Sequence, residues 1–501
     1  MSLLGLDIGI TGCKAVAFSL TGEMLAQAYR EYPLYQPHPG WMELDPDEVW
    51  DAVRDVIRHV TQAIPGDPVR ALSVSTHGES VVPLDAGGRH LCRFITALDT
   101  RAAEQTEWWG EQLGKDRLFQ VTGMPLHPMY TVNKLMWLRQ NQPDIFAGAR
   151  RFLCMQDFVF YKLGLDPAMD YSLATRTMAF DVNHLGWSDE ILSLADLAVE
   201  QLSRPLPSGS MLGQVKPSIA DELGLAPGAV GVTGGHDQPS GALGCGAIGE
   251  GIAMDSTGTV ECVAVASPKL VLDAKLLESN LPVAPHTVPG MYLVLGYSST
   301  GGALLRWFRD NFAAAEQQEA AQTGGDVYEL ILEQATEGPS PVLILPHFFG
   351  SGTPWMDPDS KGAILGLDMS TTRGHVIKGI LDSVTYETKL SVDVMEKAGI
   401  AVRELRAIGG GAKSRRWLQT KADIFGKPVM AMDVSEAACL GVAILAGVAI
   451  QAFSSIEEGV AHMVKVRRVH EPDMDNHQRY MNQAQRFAQI YPTLAQLNHQ
   501  L

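Results

Sequence analysis

The chain has 501 residues, which at about 100–200 residues per domain implies two large domains or three ordinary ones. Its 57 acidic residues against 39 basic give a net charge of −18, so nucleic acid and anionic membranes are repelled and any phosphate site must be local and built largely from backbone amides. With 46% apolar residues and 49 glycines, the composition is that of a globular protein with full cores and many tight turns.

The opening reads as a β-meander: an apolar strand from Leu3 to Ile8, a second from Cys13 to Leu20, and a third from Met24 to Tyr32 after the Thr21-Gly22 turn. A helix follows, with Asp45 as N-cap, Pro46 at the first position, Glu48 at capping-box spacing, and a stripe of Val49, Val53, Val56, Ile57 and Val60. Val69 to Ser75 returns as a strand. Three strands, a helix and a strand announce an α/β domain with a mixed sheet. The stretch 100–230 is mostly helical, with a hydroxyl-rich segment from Asp170 to Asp181. The glycine-dense run GALGCGAIGEG (241–251) marks the boundary, giving domains 1–245 and 246–501. The second half restarts as strand, DSTGT turn, strand. A long helix (His375–Ala398), a strand (Leu405–Ile408), a triple glycine, a helix (Ser414–Phe425) closed by Gly426, a strand (Pro428–Met432) and a last apolar helix (Ser435–Ala449) follow.

The six cysteines (13, 92, 154, 245, 262, 439) contain no C-x-x-C pair and read as reduced core residues. The N-terminus meets Asp7 too early for a signal peptide, and the run Ala437–Ile450 is too short to span a bilayer. A cytoplasmic protein is expected.

Four segments could carry chemistry. The turn DIGITGCK (7–14) offers successive amides, the Thr11 hydroxyl and the Lys14 cation as an anion cradle. Asp7 ends a buried strand and calls for a partner, for which a Mg²⁺ ion held through water is one choice. The turn DSTGT supplies Thr257, Gly258 and Thr259 in the same style, so two such turns on facing domains could clamp an oligophosphate. In VTGGHDQPSGALG, Asp237 is delivered at a strand-to-helix turn, a setting for a general base toward a sugar hydroxyl. The glycines of GGGAKSRRW let a flat ring or phosphate lie against backbone at a helix N-terminus. His77, Gly78 and Glu79, and Asp99 with Arg101, follow strand ends of one sheet and suit a polyhydroxylated ligand. Gly244, Gly246 and Gly249 match the dinucleotide pattern G-x-G-x-x-G but precede a strand instead of opening a helix, so a nicotinamide-dependent dehydrogenase is disfavoured.

Taken together, GLDIGITGCKA, PGWMELDPDEVW, LDTRA, GGHDQPSGALG, DSTGTVE, PHFFGSGTPWMDPDSKGAILGL and GGGAKSRRWLQTKADIFGKPV resemble the FGGY family of carbohydrate kinases over roughly residues 3–490. The resemblance implies two ribonuclease H-like domains of the actin/hexokinase/Hsp70 type with an interdomain catalytic cleft, ATP and Mg²⁺ as cofactors, and a sugar or polyol substrate. It implies Asp237 as catalytic base and Asp7, with Asp237, at the metal. Thr11, Lys14, Thr257, Gly258, Thr259, Gly301, Gly302, Gly410, Gly411 and Ala412 fall to ATP; His77, Gly78, Glu79, Asp99 and Gln238 fall to the substrate. A homodimer is a family-level expectation, and a catalytically silent binder on the same fold is the rival reading. Ile10 replaces a usual threonine. Gly78 stands where glycerol kinases have arginine, and Ala97 where a tryptophan is common, so a roomier pocket is expected.

Overall fold

A computed structural model describes residues 1–501. The meander forms as expected: β1 (Ser2–Ile8), β2 (Gly12–Phe18) and β3 (Met24–Glu31). Helix α1 (Pro46–Ala63) buries its valine stripe, and the Asp45 carboxylate accepts from the Asp47 amide at 3.0 Å. The capping box is only half formed, because Glu48 accepts instead from the Tyr35 hydroxyl at 2.9 Å. β4 (Val69–Thr76) follows, then helical segments that include α2 (Tyr171–Thr175), and then β5 (Met211–Gln214), β6 (Val230–His236) and α3 (Asp237–Gly244). The strands form one six-stranded sheet in the order β5-β6-β4-β1-β2-β3.

The second half repeats the plan. β7 (Ile252–Thr257), β8 (Glu261–Ser267), β9 (Val283–Pro285) and β10 (Tyr292–Ser298) precede helix α4 (Gly302–Phe312) and the long helix α5 (Arg373–Lys397). β11 (Glu404–Gly409), α6 (Arg415–Phe425), β12 (Val429–Met432), α7 (Ala437–Ala449) and β13 (Val466–His470) complete a seven-stranded sheet ordered β9-β10-β8-β7-β11-β12-β13. In each sheet an antiparallel meander continues into two strands parallel to its first: β1-β4-β6 and β7-β11-β12. This shared order is the actin/hexokinase-like fold.

The parallel triplets decide where the polar loops emerge. Ile8 pairs with Thr76 and Thr76 with His236, so Asp7, His77–Glu79 and Asp237 leave the first sheet side by side. Thr257 pairs with Gly409, which brings the DSTGT turn against the triple glycine.

Two helices cross between the sheets. α7, apolar along its length, packs Cys439, Leu440, Ala443 and Ile444 on Leu3, Val16, Phe18, Ala71 and Val232 of the first sheet. α3 puts Ala242 against Met254, Ala264 and Leu293 of the second. The helices meet backbone to backbone: a side chain at Gly441 would collide with the Ser240 carbonyl, and one at Gly244 with that of Ala437. Gly244 of the dinucleotide-like pattern thus serves helix packing. No helix is long and apolar enough to cross a membrane. Replacing Gly441 with valine should push α3 and α7 apart and cost about 3 kcal/mol, read as a lowered urea midpoint.

Candidate active site

Two cavities open along the facing ends of the sheets. The first, about 580 Å³, is lined by Thr257, Gly258 and Thr259, by Gly302, Gly410, Gly411 and Lys413, and by Tyr328, Leu332 and Trp417 on its far wall. The second, about 460 Å³, is lined by His77, Gly78, Glu79, Asp237 and Gln238 from the first half and by Val260, Cys262, Tyr297 and Trp355 from the second. Thr259 faces one cavity and Val260 the other, so the DSTGT turn is their shared wall.

Glycines brace that turn. The amides of Gly301 and Gly302 donate to the carbonyls of Thr259 and Gly258 at 2.9 and 2.8 Å. Gly302 also lines the cavity, whereas Gly301 is pressed against the Val260 backbone and acts only through the turn. Gly411 sits against the Thr257 side chain. Ala412, expected at the adenosine, is buried instead, and its carbonyl accepts from Arg467 at 2.9 Å. Beneath the turn, the Lys421 ammonium donates to Asp255 at 2.6 Å, to Thr257 Oγ1 at 2.7 Å and to Glu261, all fully buried. Burial pushes the Glu261 carboxyl upward, while its two carboxylate neighbours hold Lys421 charged. No motif announced this cluster, because Lys421 and its partners lie far apart in sequence.

Asp237 opens α3, half-buried, with His236 Nε2 at 3.1 Å from its Oδ1. Burial, then the charge of Glu79, push its carboxyl up to about 6. The His236 contact lacks hydrogen-bond geometry, and three consecutive residues leave buried polar atoms without hydrogen bonds here: His236 Nδ1, Asp237 Oδ1 and Gln238 Oε1. Such atoms are costly unless a ligand satisfies them. Asp7 accepts from the Ser75 hydroxyl at 2.9 Å, and burial together with neighbouring Asp237 raises it to about 7. A carboxyl whose ionisation is suppressed by burial and by a neighbouring carboxylate fits a divalent cation beside it. No cluster of three or more His, Cys, Asp or Glu side chains could enclose a metal, so the donor set suits an ion that keeps water and phosphate ligands, as Mg²⁺ does.

His77 bridges the Ile8 carbonyl at 3.0 Å and the Ser80 hydroxyl at 2.6 Å, and burial keeps it neutral. Glu79 lies at φ 66°, uncommon for a residue with a side chain. Its carbonyl is held there by Thr131 Oγ1 and Lys134 Nζ, each at 3.0 Å. Its carboxylate pairs with Arg176, a buried residue just after α2.

Several expectations need correction. Gly78 does not leave room: a Cβ there would meet Arg176 Cβ and Cγ at 3.0 Å, so an arginine from another segment fills the space. Asp99 is buried away from the cavity, its oxygens taken by Arg101 at 2.7 and 2.8 Å and by the Met42 amide at 2.7 Å. Arg101 stacks on Trp41 at 3.7 Å, so the LDTRA motif braces a loop. Ala97 does not line the cavity either; Tyr130, Tyr297 and Trp355 supply its aromatic wall. Lys14 is not free for phosphate, since its ammonium pairs with Glu436 at 2.7 Å just ahead of α7. Thr11 stands exposed in the β1–β2 turn, its carbonyl accepting from the Tyr32 amide at 3.3 Å. Residues the sequence reading missed include Arg176, Tyr130, Tyr328 and Lys421. Arg176 alone had a signal, the hydroxyl-rich segment 170–181 around it.

Comparison with known proteins agrees with this geometry. Residues 2–244 match the model of the FGGY family of carbohydrate kinases, N-terminal domain, and 253–450 that of its C-terminal domain. A gluconokinase of Bacillus subtilis (strain 168) is 29% identical over 95% of this chain and 93% of its own. A xylulose kinase of Staphylococcus epidermidis (strain ATCC 12228 / FDA PCI 1200) is 30% identical over 100% and 98%. The solved structure of a ligand-bound xylulose kinase from Lactobacillus acidophilus superposes with a TM-score of 0.90 at 22% identity, covering 99% of this chain and 98% of that one.

Three outcomes are expected. Lys421→Met strands two buried carboxylates and should lower stability by about 3–5 kcal/mol in urea unfolding. Asp237 accepts a proton only as carboxylate, so kcat/KM should climb with pH along a limb near 6. Glu79→Gln removes a neighbouring negative charge and should move that limb to lower pH.

Proposed function

The chain belongs to the FGGY family of carbohydrate kinases, phosphotransferases with an alcohol acceptor, and we propose that it transfers the γ-phosphoryl group of ATP to a primary hydroxyl of a ketopentose such as xylulose, or of a related ketose, polyol or sugar acid. ATP takes the larger cavity and the acceptor the smaller. What supports this most directly is that Asp237 and Gln238 line a cavity whose other wall is the phosphate turn.

In this reading Asp237 accepts the acceptor's hydroxyl proton as the new O–P bond forms and the bond from the γ-phosphorus to the β-phosphate oxygen breaks, leaving ADP. The proton rests on the Asp237 carboxyl, whose raised value suits it to hold one. The Thr259 amide and the N-terminus of α6 orient the phosphates, the Gly258 amide being taken within the turn by the Val260 carbonyl at 2.9 Å. A Mg²⁺ ion, when bound near Asp7, would neutralise phosphate charge. Thr259 and Val260 set donor and acceptor on either side of one turn, and closure of the halves would exclude water. We assign 1–245 to acceptor and base, 246–501 to nucleotide, and the protein to the cytoplasm, in keeping with six free cysteines.

The test is ADP release from MgATP across pentuloses, hexuloses, polyols and aldonates. One acceptor should stand out, and Asp237→Asn should lower its turnover ~10²–10⁴-fold while ATP affinity holds. A variant as fast as the parent would remove Asp237 from the chemistry.

A further inference from the structure

We infer that the acceptor cavity is built for an uncharged ketose or polyol and discriminates against aldonates, and that the Glu79–Arg176 pair sets this choice. The inference rests on the kinase reading above and narrows its acceptor.

A carboxylate ligand needs an unengaged cation, best of all an arginine fork free to grip both oxygens. Arg176 is the one arginine or lysine lining the cavity. Its Nε and one Nη face the Glu79 carboxylate. Its outer edges face thioethers, Met124 Sδ at 3.6 Å and Met129 Sδ at 3.4 Å, and its stem lies on Gly78. No edge of the fork is left for a second carboxylate.

The other basic groups do not substitute for it. Lys134 is fully buried beneath the cavity, its ammonium directed at the carbonyls of Glu79 and Met129 at 3.0 and 2.6 Å. Burial, with Arg176 beside it, keeps His127 neutral, at about 4, and His236 turns its Nε2 toward the Asp237 carboxylate at 3.1 Å. Lining the cavity are therefore Glu79 balanced by Arg176, the carboxylate of Asp237, and neutral polar residues such as Gln238 and Asn280. Hydroxyl groups can pair with every one of these. An aldonate carboxylate would meet the charge of Asp237 with no free cation to offset it, and would lose its hydration without compensation.

The two classes are separated with matched acceptors, D-xylulose against D-xylonate and D-fructose against D-gluconate, in the ADP-release assay. The neutral member should lead by ~100-fold or more in kcat/KM. In Glu79→Gln the guanidinium loses its partner, and the neutral-to-aldonate ratio should fall by ~10-fold or more even as neutral turnover drops. An aldonate used within ~3-fold of its neutral partner, or an unchanged ratio in Glu79→Gln, overturns the inference. Thermal protection keeps the two readings apart. If no acceptor releases ADP, the kinase reading fails by itself. In that case a higher Tm with xylitol but not with D-xylonate still supports the neutral cavity, whereas protection by the aldonate, or by neither, overturns it.

Discussion

The contact on which the rest of the molecule depends is the crossing of α3 and α7. Each helix follows the outer parallel strand of its own sheet and then packs on the other sheet, and the two touch through glycine. Side chains at Gly244 or Gly441 would separate the helices and, with them, the sheets. The crossing also aims the chemistry. Asp237 is the first residue of α3, and Glu436, which engages Lys14, immediately precedes α7. The carboxylate proposed as base and the tie between the halves therefore sit on the elements that fix the halves together.

Around this frame, charge is managed in pairs of different kinds. Asp7 is raised by burial and by the charge of neighbouring Asp237, and Asp237 by burial and by Glu79, which suits a site that takes a cation and a proton. Glu79 and Arg176 cancel, which leaves the acceptor cavity a field of donors and acceptors without net attraction for anions. Lys421 with Asp255 and Glu261 is a buried cluster beneath the DSTGT turn, where burial pushes Glu261 upward and the ammonium holds Thr257 Oγ1 at 2.7 Å.

Much of this was legible from sequence where chemistry and local structure coincide. Asp237 could be placed because an apolar strand, two glycines and a run of small residues specify a strand-to-helix turn without knowledge of anything distant. The DSTGT and triple-glycine turns were legible for the same reason. Asp99 misled because a strand-end carboxylate looks alike whether it faces a ligand or an arginine two residues on. The hydroxyl-rich segment around Arg176 was visible, but the partnership of Arg176 with Glu79 was not, since it spans 97 positions and depends on how α2 lies over the first sheet. Gly78 illustrates the general difficulty: a missing side chain reads as space, yet packing awards that space to whichever neighbour can reach it.

The exchanged helices also impose a schedule on the newborn chain. The strands of the first sheet are all made once His236 has left the ribosome, yet the face formed by Leu3, Val16, Phe18, Ala71 and Val232 has only Leu243 and Val288 to cover it until α7 is synthesised. At about 5–20 residues per second, that face waits on the order of 10–40 s. During that interval the nascent chain is a half-built sandwich with most of one apolar wall open. The helix exchange that joins the finished halves thus ties the first sheet's completion to the last part of the second.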